Sequence, residues 1–514
     1  MSRYFRHRIG DPNGPSHYRR IALTLSVLIL ATLPAAAQPP AFPGAEGFGA
    51  SATGGRGGRV IYVTNLNTSG PGSLQDALET SGTRYILFKV SGLIPGLVQM
   101  RYGEATIAGQ TSPGGVYVRG FLADDEPDWD TPPRHDNWIL RFVHSRPDSL
   151  LHPPTPEDRI NDDALRILQS ERVIVDHCSF ARAEDECVQL SECSSITIQN
   201  CLLAETPGDH FEFGGMLVNY TSSAHPLNRL SIHHNMWNRI YGRLPELSRE
   251  SPAATSSTLD IELSCNAIWD PGVTIYAAAD TNVGTDPPMP IFYNLNWVNN
   301  TMFARSTFTS AMFTDAIVRN PASAPRNRLY VSGNRHNRWP LWSDYQLFYC
   351  CNDFDTLYPS SDPLTALDPI LAQQLAQRHP FPAISYTPAD QMLDYALTDI
   401  GCFPRDPMDR RLMSAVTTRT IDPRSLSDPL QQVNDAFALD FNPANPPPVP
   451  TDTDSDGMPD DWESAHGLNP SVEDHNGTQL SSQGYTNLEV YLNELADQRI
   501  HPGPVSSGRG VLLY

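Results

Sequence analysis

Along the middle of the chain, apolar and polar residues alternate in short runs, each ending in His, Asn or a small residue. The runs read Val173-Ile174-Val175-Asp176-His177, Ile196-Thr197-Ile198-Gln199-Asn200 and Leu230-Ser231-Ile232-His233-His234. Three more follow, Ile261-Glu262-Leu263-Ser264-Cys265, Leu295-Asn296-Trp297-Val298-Asn299 and Leu329-Tyr330-Val331-Ser332-Gly333. Alternation with a period of two is the mark of a strand. The closing residues of the runs lie 23, 34, 31, 34 and 34 positions apart. Earlier runs at 86–90, 105–108 and 138–143 extend the series. A repeat of this length, made of strands without a helix per unit, predicts a solenoid. The expected fold class is all-β, a right-handed parallel β-helix with about three short strands per coil. Residues 72–78 read as a short amphipathic helix capping its N-terminal end.

Past residue 360 the pattern turns helical and loop-like, and Ile370 to Ala376 reads as a short amphipathic helix. Asn442 to Thr451, with Pro446-Pro447-Pro448, reads as a stiff linker. At the other end, Arg19-Arg20, an apolar run from Ile21 to Leu33 and Ala35-Ala36-Ala37 form a signal-peptide pattern. The expected organisation is a signal peptide over 1–37 and a β-helix with C-terminal decoration over 38–440. A linker over 441–451, a separate small module over 452–495 and a tail over 496–514 complete it. Cleavage near Ala37 predicts a secreted protein with no membrane span, expected to be a monomer. Such a module is expected to fold on its own.

Composition narrows the chemistry. With 36 Lys+Arg against 58 Asp+Glu, the formal charge of −22 argues against a general nucleic-acid binder. The 46 prolines and 34 glycines exclude a long-helix protein. Lys89 is the sole lysine, which almost rules out Schiff-base chemistry. Eight cysteines, Cys178, Cys187, Cys193, Cys201, Cys265, Cys350, Cys351 and Cys402, suit either disulfides or buried thiols. None has the spacing of a zinc site.

One motif points to a metal outright. Asp452-x-Asp454-x-Asp456-Gly457, followed after five residues by Glu463, matches the calcium-loop pattern. Asp452, Asp454 and Asp456 would supply carboxylates, Met458 its carbonyl, Asp460 a water-bridged contact and Glu463 a bidentate clamp. A second half-loop at 484–489 lacks carboxylates at Gln479, Ser481 and Gln483. The segment resembles thrombospondin type 3 or dockerin-like repeats, which implies structural calcium.

Several ordered motifs between about residues 42 and 415 make the chain resemble the pectate lyase family. They are Gly58 to Thr64 with Gly70 to Leu74, Thr106 to Thr111, Val173 to Phe180, Ile232-His233-His234-Asn235 with Arg243-Leu244-Pro245, and Cys402 to Asp406. The resemblance implies Ca2+-assisted β-elimination across the glycosidic bond of an acidic polysaccharide such as pectate or polygalacturonate. It implies Arg243 as the base. It implies Asp163 and Asp185 as calcium ligands from neighbouring rungs, near one strand spacing of roughly 4.8 Å. Asn161 and Gln189 stand where the family commonly has carboxylates, which implies weaker calcium binding. The family's substrate-binding lysine is missing near 210–215, and Ser248 replaces its second arginine. His210, Arg239 and Arg249 are the candidates to compensate. His177 reads as a hydrogen-bonded stacking residue of a turn. Two alternatives stay open at this point. One is a non-catalytic glycan-binding solenoid. The other is a β-helix enzyme for a different uronate polymer, or a hydrolase using Asp162, Asp163, Asp185 and Glu186.

Overall fold

The computed structural model describes residues 38–502 apart from 125–134, 149–161, 207–213, 248–256, 273–291, 309–311, 315, 320–322, 343, 350–369, 427 and 429–430. Described residues from Pro39 onward belong to one compact unit. Three parallel sheets of eleven, nine and six strands coil around a shared interior. Every repeat named above is a strand of the eleven-stranded sheet, and the sheet is in register. Val173 aligns with Ile196, then Leu230, Ile261, Leu295 and Leu329, one residue per rung. Those six side chains are buried in a single core. A parallel β-helix is therefore the fold, built by stacking like on like.

The closing residue of each repeat turns the corner. His177, Asn200, His234, Cys265, Asn299 and Gly333 all have positive φ, between 51° and 75°. Small residues, Asn and His tolerate that left-handed region better than bulkier ones. The next position stacks as well, as Asn235, Asn266, Asn300 and Asn334. Each donates its amide to a carbonyl one rung back, at 2.9 Å to Ile198, 2.9 Å to Ile232, 3.0 Å to Leu263 and 2.8 Å to Trp297. This ladder satisfies backbone groups that the corner takes out of the sheets.

The N-terminal cap is the helix Leu74–Leu78, with Ser73 accepting from the Asp76 amide. Buried Arg84 ties it down by donating to the carbonyls of Ala77, Leu78, Tyr102 and Gly103. The helices Met392–Asp399 and Pro407–Thr418 cover the outer face of the nine-stranded sheet through Met392, Met408, Leu412 and Val416.

Two expectations change. Ile370 to Ala376 is extended, not helical: Gln373–Gln374 pairs with Arg328–Leu329 as the last strand of the large sheet. The open edge of the last rung offers unpaired backbone groups, and these outweigh a weak helical pattern. Nor is the C-terminal segment a bead on a linker. Met458, Leu488 and Leu492 are buried against Tyr85, Leu87 and Ala108 of the first rungs. Six cysteines are buried free thiols, while Cys350 and Cys351 lie outside the described residues. Among the described residues, no helix is long and apolar enough to cross a membrane.

Candidate active site

The six-stranded sheet carries the candidate site residues. Its rungs include Leu165–Leu168, Glu186–Ser191, Gly214–Val218 and Glu246–Leu247. Leu165 aligns with Val188, so Asp163 and Glu186 enter adjacent strands at the same level. The Glu186 amide donates to Asp163 Oδ1 at 3.0 Å. One rung further, Glu186 aligns with Gly214, and Gly214 bridges Gly242. Asp163, Glu186, Gly214 and Gly242 thus form one column, with Arg243 at its end.

Glycine at 214 is required twice over. Its φ is 158°, and a Cβ there would meet the Gly242 carbonyl oxygen at 2.1 Å. Without a side chain on that rung, Arg243 reaches past it and donates from Nη1 to Glu186 Oε1. Its Nε donates to Glu246 Oε2 at 2.8 Å. Although burial works against it, Arg243 is held above the ordinary arginine value by Glu186 and Glu246. It is a firmly protonated cation in this arrangement.

Asp163, Asp185 and Glu186 each offer a carboxylate oxygen within 4.8 Å of the others. Burial, then the neighbouring acids, pushes Asp163 up to about 7 against the pull of Arg166. Glu186 is also raised well above its usual range, first by burial and then by Asp163. Its Oε2 is buried with no hydrogen-bond partner among the described residues. Three crowded carboxylates, one with a bare oxygen, fit a hard cation. Arg166 complicates that fit. Its guanidinium donates to Asp163 Oδ2, Gln189 Oε1 and Asp124 Oδ2, each at 2.8 Å, and to Asp162 Oδ1 at 2.5 Å. A built-in cation already occupies one side of the acidic cluster.

Other expected residues fall elsewhere. Arg239 is buried on the nine-stranded side, where it donates to Asp270 Oδ2 at 3.0 Å and to the carbonyls of Asp422, Arg424 and Ser425. A guanidinium spent on those partners is not open to substrate, so its role is structural. His210, Arg249, Asn161 and Ser248 lie outside the described residues. His177 stacks on Phe142 with ring centroids 5.3 Å apart, its Nδ1 2.8 Å from Asp176 Oδ2.

In the C-terminal loop, Asp452, Asp454 and Asp456 converge within 4.8 Å. So do Asp456, Glu463 and Asp474. Burial, then Asp456 and the other acids, pushes Glu463 up to about 7. Both Asp460 oxygens accept from Thr453, amide and hydroxyl, at 2.7 Å. Met458 buries its side chain in the docked apolar cluster.

Sequence reading gave Glu186 only as part of a rival hydrolase set and missed Glu246, Arg166 and Asp474. A signal for Glu186 was present. The 23 residues between His177 and Asn200 also separate Asp163 from Glu186, so the period itself selects it. Arg166 and Gln189 share the same spacing.

Fold and site together define a parallel β-helix with an arginine–carboxylate cluster on one sheet. No family model matches the chain. It is similar to the probable pectate lyase C of Aspergillus flavus, 29% identical over 88% of this chain and 94% of that protein. The probable pectate lyase C of Aspergillus fumigatus strain CBS 144.89 is 28% identical over 93% and 100%. A pectate lyase from Bacillus sp. N165, solved with trigalacturonate, covers 69% of this chain and 98% of its own at 15% identity and a TM-score of 0.40. By its sequence likeness the protein is pectate lyase-like.

Proposed function

We propose that the protein is a secreted lyase that cleaves pectate- or polygalacturonate-type uronate polymers by β-elimination, with Arg243 taking the proton from carbon 5. The observation that carries this reading is the column in which Arg243 meets Glu186, Asp163 and Asp185 across neighbouring rungs. Carbon 5 of a uronate lies α to a carboxylate, so its proton becomes removable only when that carboxylate is neutralised. A calcium ion held by Asp163, Asp185 and Glu186 would supply that neutralisation when bound. Arg243 presents a planar guanidinium beside it, pre-positioned by two carboxylates. To accept a proton Arg243 must first lose one, so its pairs with Glu186 and Glu246 hold the reaction back at neutral pH. Secretion belongs to the same reading and rests on Arg19 to Ala37.

One rival has an observation of its own. The salt bridges on Arg243 and the Arg166 guanidinium in the acidic cluster would also suit a solenoid that binds glycans without cleaving them. Incubating the purified protein with a panel of uronate polymers, with calcium and with chelator, decides between them. Cleavage of polygalacturonate that calcium accelerates is expected. Binding without cleavage of any polymer would refute the proposal.

A further inference from the structure

The C-terminal acidic loop is pressed against the solenoid. Gly457 has φ 104°, and a Cβ there would lie 2.9 Å from Leu87 Cδ1 of the second rung. Asp452 Oδ2 accepts from the Tyr62 hydroxyl of the first rung and sits 3.7 Å from Lys89 Nζ. The sole lysine of the chain lies 3.6 Å over the Tyr62 ring. Around this contact, Arg56 pairs with Glu489 at 2.8 Å, and His475 Nε2 and Asn476 Nδ2 reach the Gly58 carbonyl, each at 3.0 Å.

The inner side of the loop holds five carboxylates and too few partners. Glu463 is fully buried, and neither of its oxygens has a hydrogen-bond partner among the described residues. Asp452 Oδ1 and Asp454 Oδ2 are bare in the same way. Asp474 comes from beyond the Asp452–Glu463 motif, yet its carboxylate lies with those of Asp456 and Glu463. Its amide donates to Asp456 Oδ2 at 3.0 Å, which fixes its place. Unpaired buried carboxylates are costly, and a hard dication taking six to eight oxygens relieves them together.

We propose that Asp474 is a further calcium ligand beside Asp452, Asp454, Asp456 and Glu463, and that this ion locks the end of the chain onto the first rungs of the solenoid. The inference rests on reading the Asp452–Glu463 loop as a calcium site. Its consequence is that calcium in the loop governs the stability of the whole β-helix, separately from the Arg243 cluster.

The test uses the full chain. Calcium binding by calorimetry and thermal melting in calcium and in chelator are measured for the parent protein, Asp474→Asn, Glu463→Gln and Asp163→Asn. The parent should melt higher in calcium. Glu463→Gln should lose that rise, Asp474→Asn should bind about tenfold more weakly, and Asp163→Asn should keep the rise. In chelator both loop variants should melt no lower than the parent, because each removes a repelling charge. Asp474→Asn with parent-like affinity overturns the ligand. Binding lost in Glu463→Gln with no change in melting of the parent overturns the lock alone. Parent-like binding in Glu463→Gln overturns the loop as a calcium site. A rise that Asp163→Asn abolishes would place the effect in the Asp163–Glu186 cluster and overturn the lock.

Discussion

Arg243 joins a carboxylate from two rungs away to one from its own turn, and both contacts need the planar fork of a guanidinium. Arg243→Lys should therefore lower turnover at least about a hundredfold while leaving the melting temperature close to the parent's. Near-normal turnover would remove Arg243 from the reaction. Because Glu186 and Glu246 hold Arg243 above its usual value, the proton-free form is scarce at neutral pH. Initial rates should rise about tenfold per pH unit toward alkaline pH until the fold gives way. Arg166 argues a different point. With its guanidinium on Asp162 and Asp163, it would compete with the calcium proposed for this cluster. Arg166→Gln should tighten calcium binding at the Asp163–Glu186 cluster, read by calorimetry in a Glu463→Gln background. A third residue governs acid stability. Against the upward push of burial, Arg182, Arg411 and Arg239 hold Glu205 at about 2, below its ordinary 4.5. Stability from this group is present above the higher value and lost as the pH falls through the lower. The gap is worth roughly 3 kcal/mol. Glu205→Gln should lower the melting temperature at pH 7 and flatten its decline between the two values.

At the scale of elements, the stacked strands were legible because a period of two and a recurring corner residue are local properties. Val173 to His177 already contains the buried face, the strand end and the left-handed corner. The asparagine ladder was legible only as positions after the corner, since its bonds join residues 31 apart or more. Asn266→Ala would strip the Asn235 amide and the Ile232 carbonyl of their partner, at a cost of about 3 kcal/mol. A lower urea midpoint with an unchanged slope is the expected result. Gln373–Gln374 shows where local reading fails: its strand exists because Arg328–Leu329 offers an edge, which no local pattern records. The arginine–carboxylate cluster was half legible for the same reason. Arg243 and Asp163 stand in motifs, whereas Glu246 and Arg166 matter only through what they touch. Asp474 lies outside the loop motif and meets Glu463 only by folding.

At the scale of the whole molecule, the last described helix returns to the first rungs of the solenoid. Helix Asn487–Ile500 lies against the first rungs, with Arg499 donating to the carbonyls of Gln110 and Ser112 at 3.1 and 2.9 Å. Truncation after Asn445 would expose Tyr85, Leu87 and Ala108, now fully or almost fully buried. The truncated chain should melt lower than the intact one and aggregate more readily. Equal melting would mean that the docked segment carries no weight in the fold. The central claim is about chemistry, and the product tests it most directly. Polygalacturonate treated with the protein should yield fragments whose ultraviolet absorbance reports an unsaturated uronide end, in step with new reducing ends, and Arg243→Lys should yield neither. Reducing ends without that absorbance would mean hydrolysis, and would contradict the account.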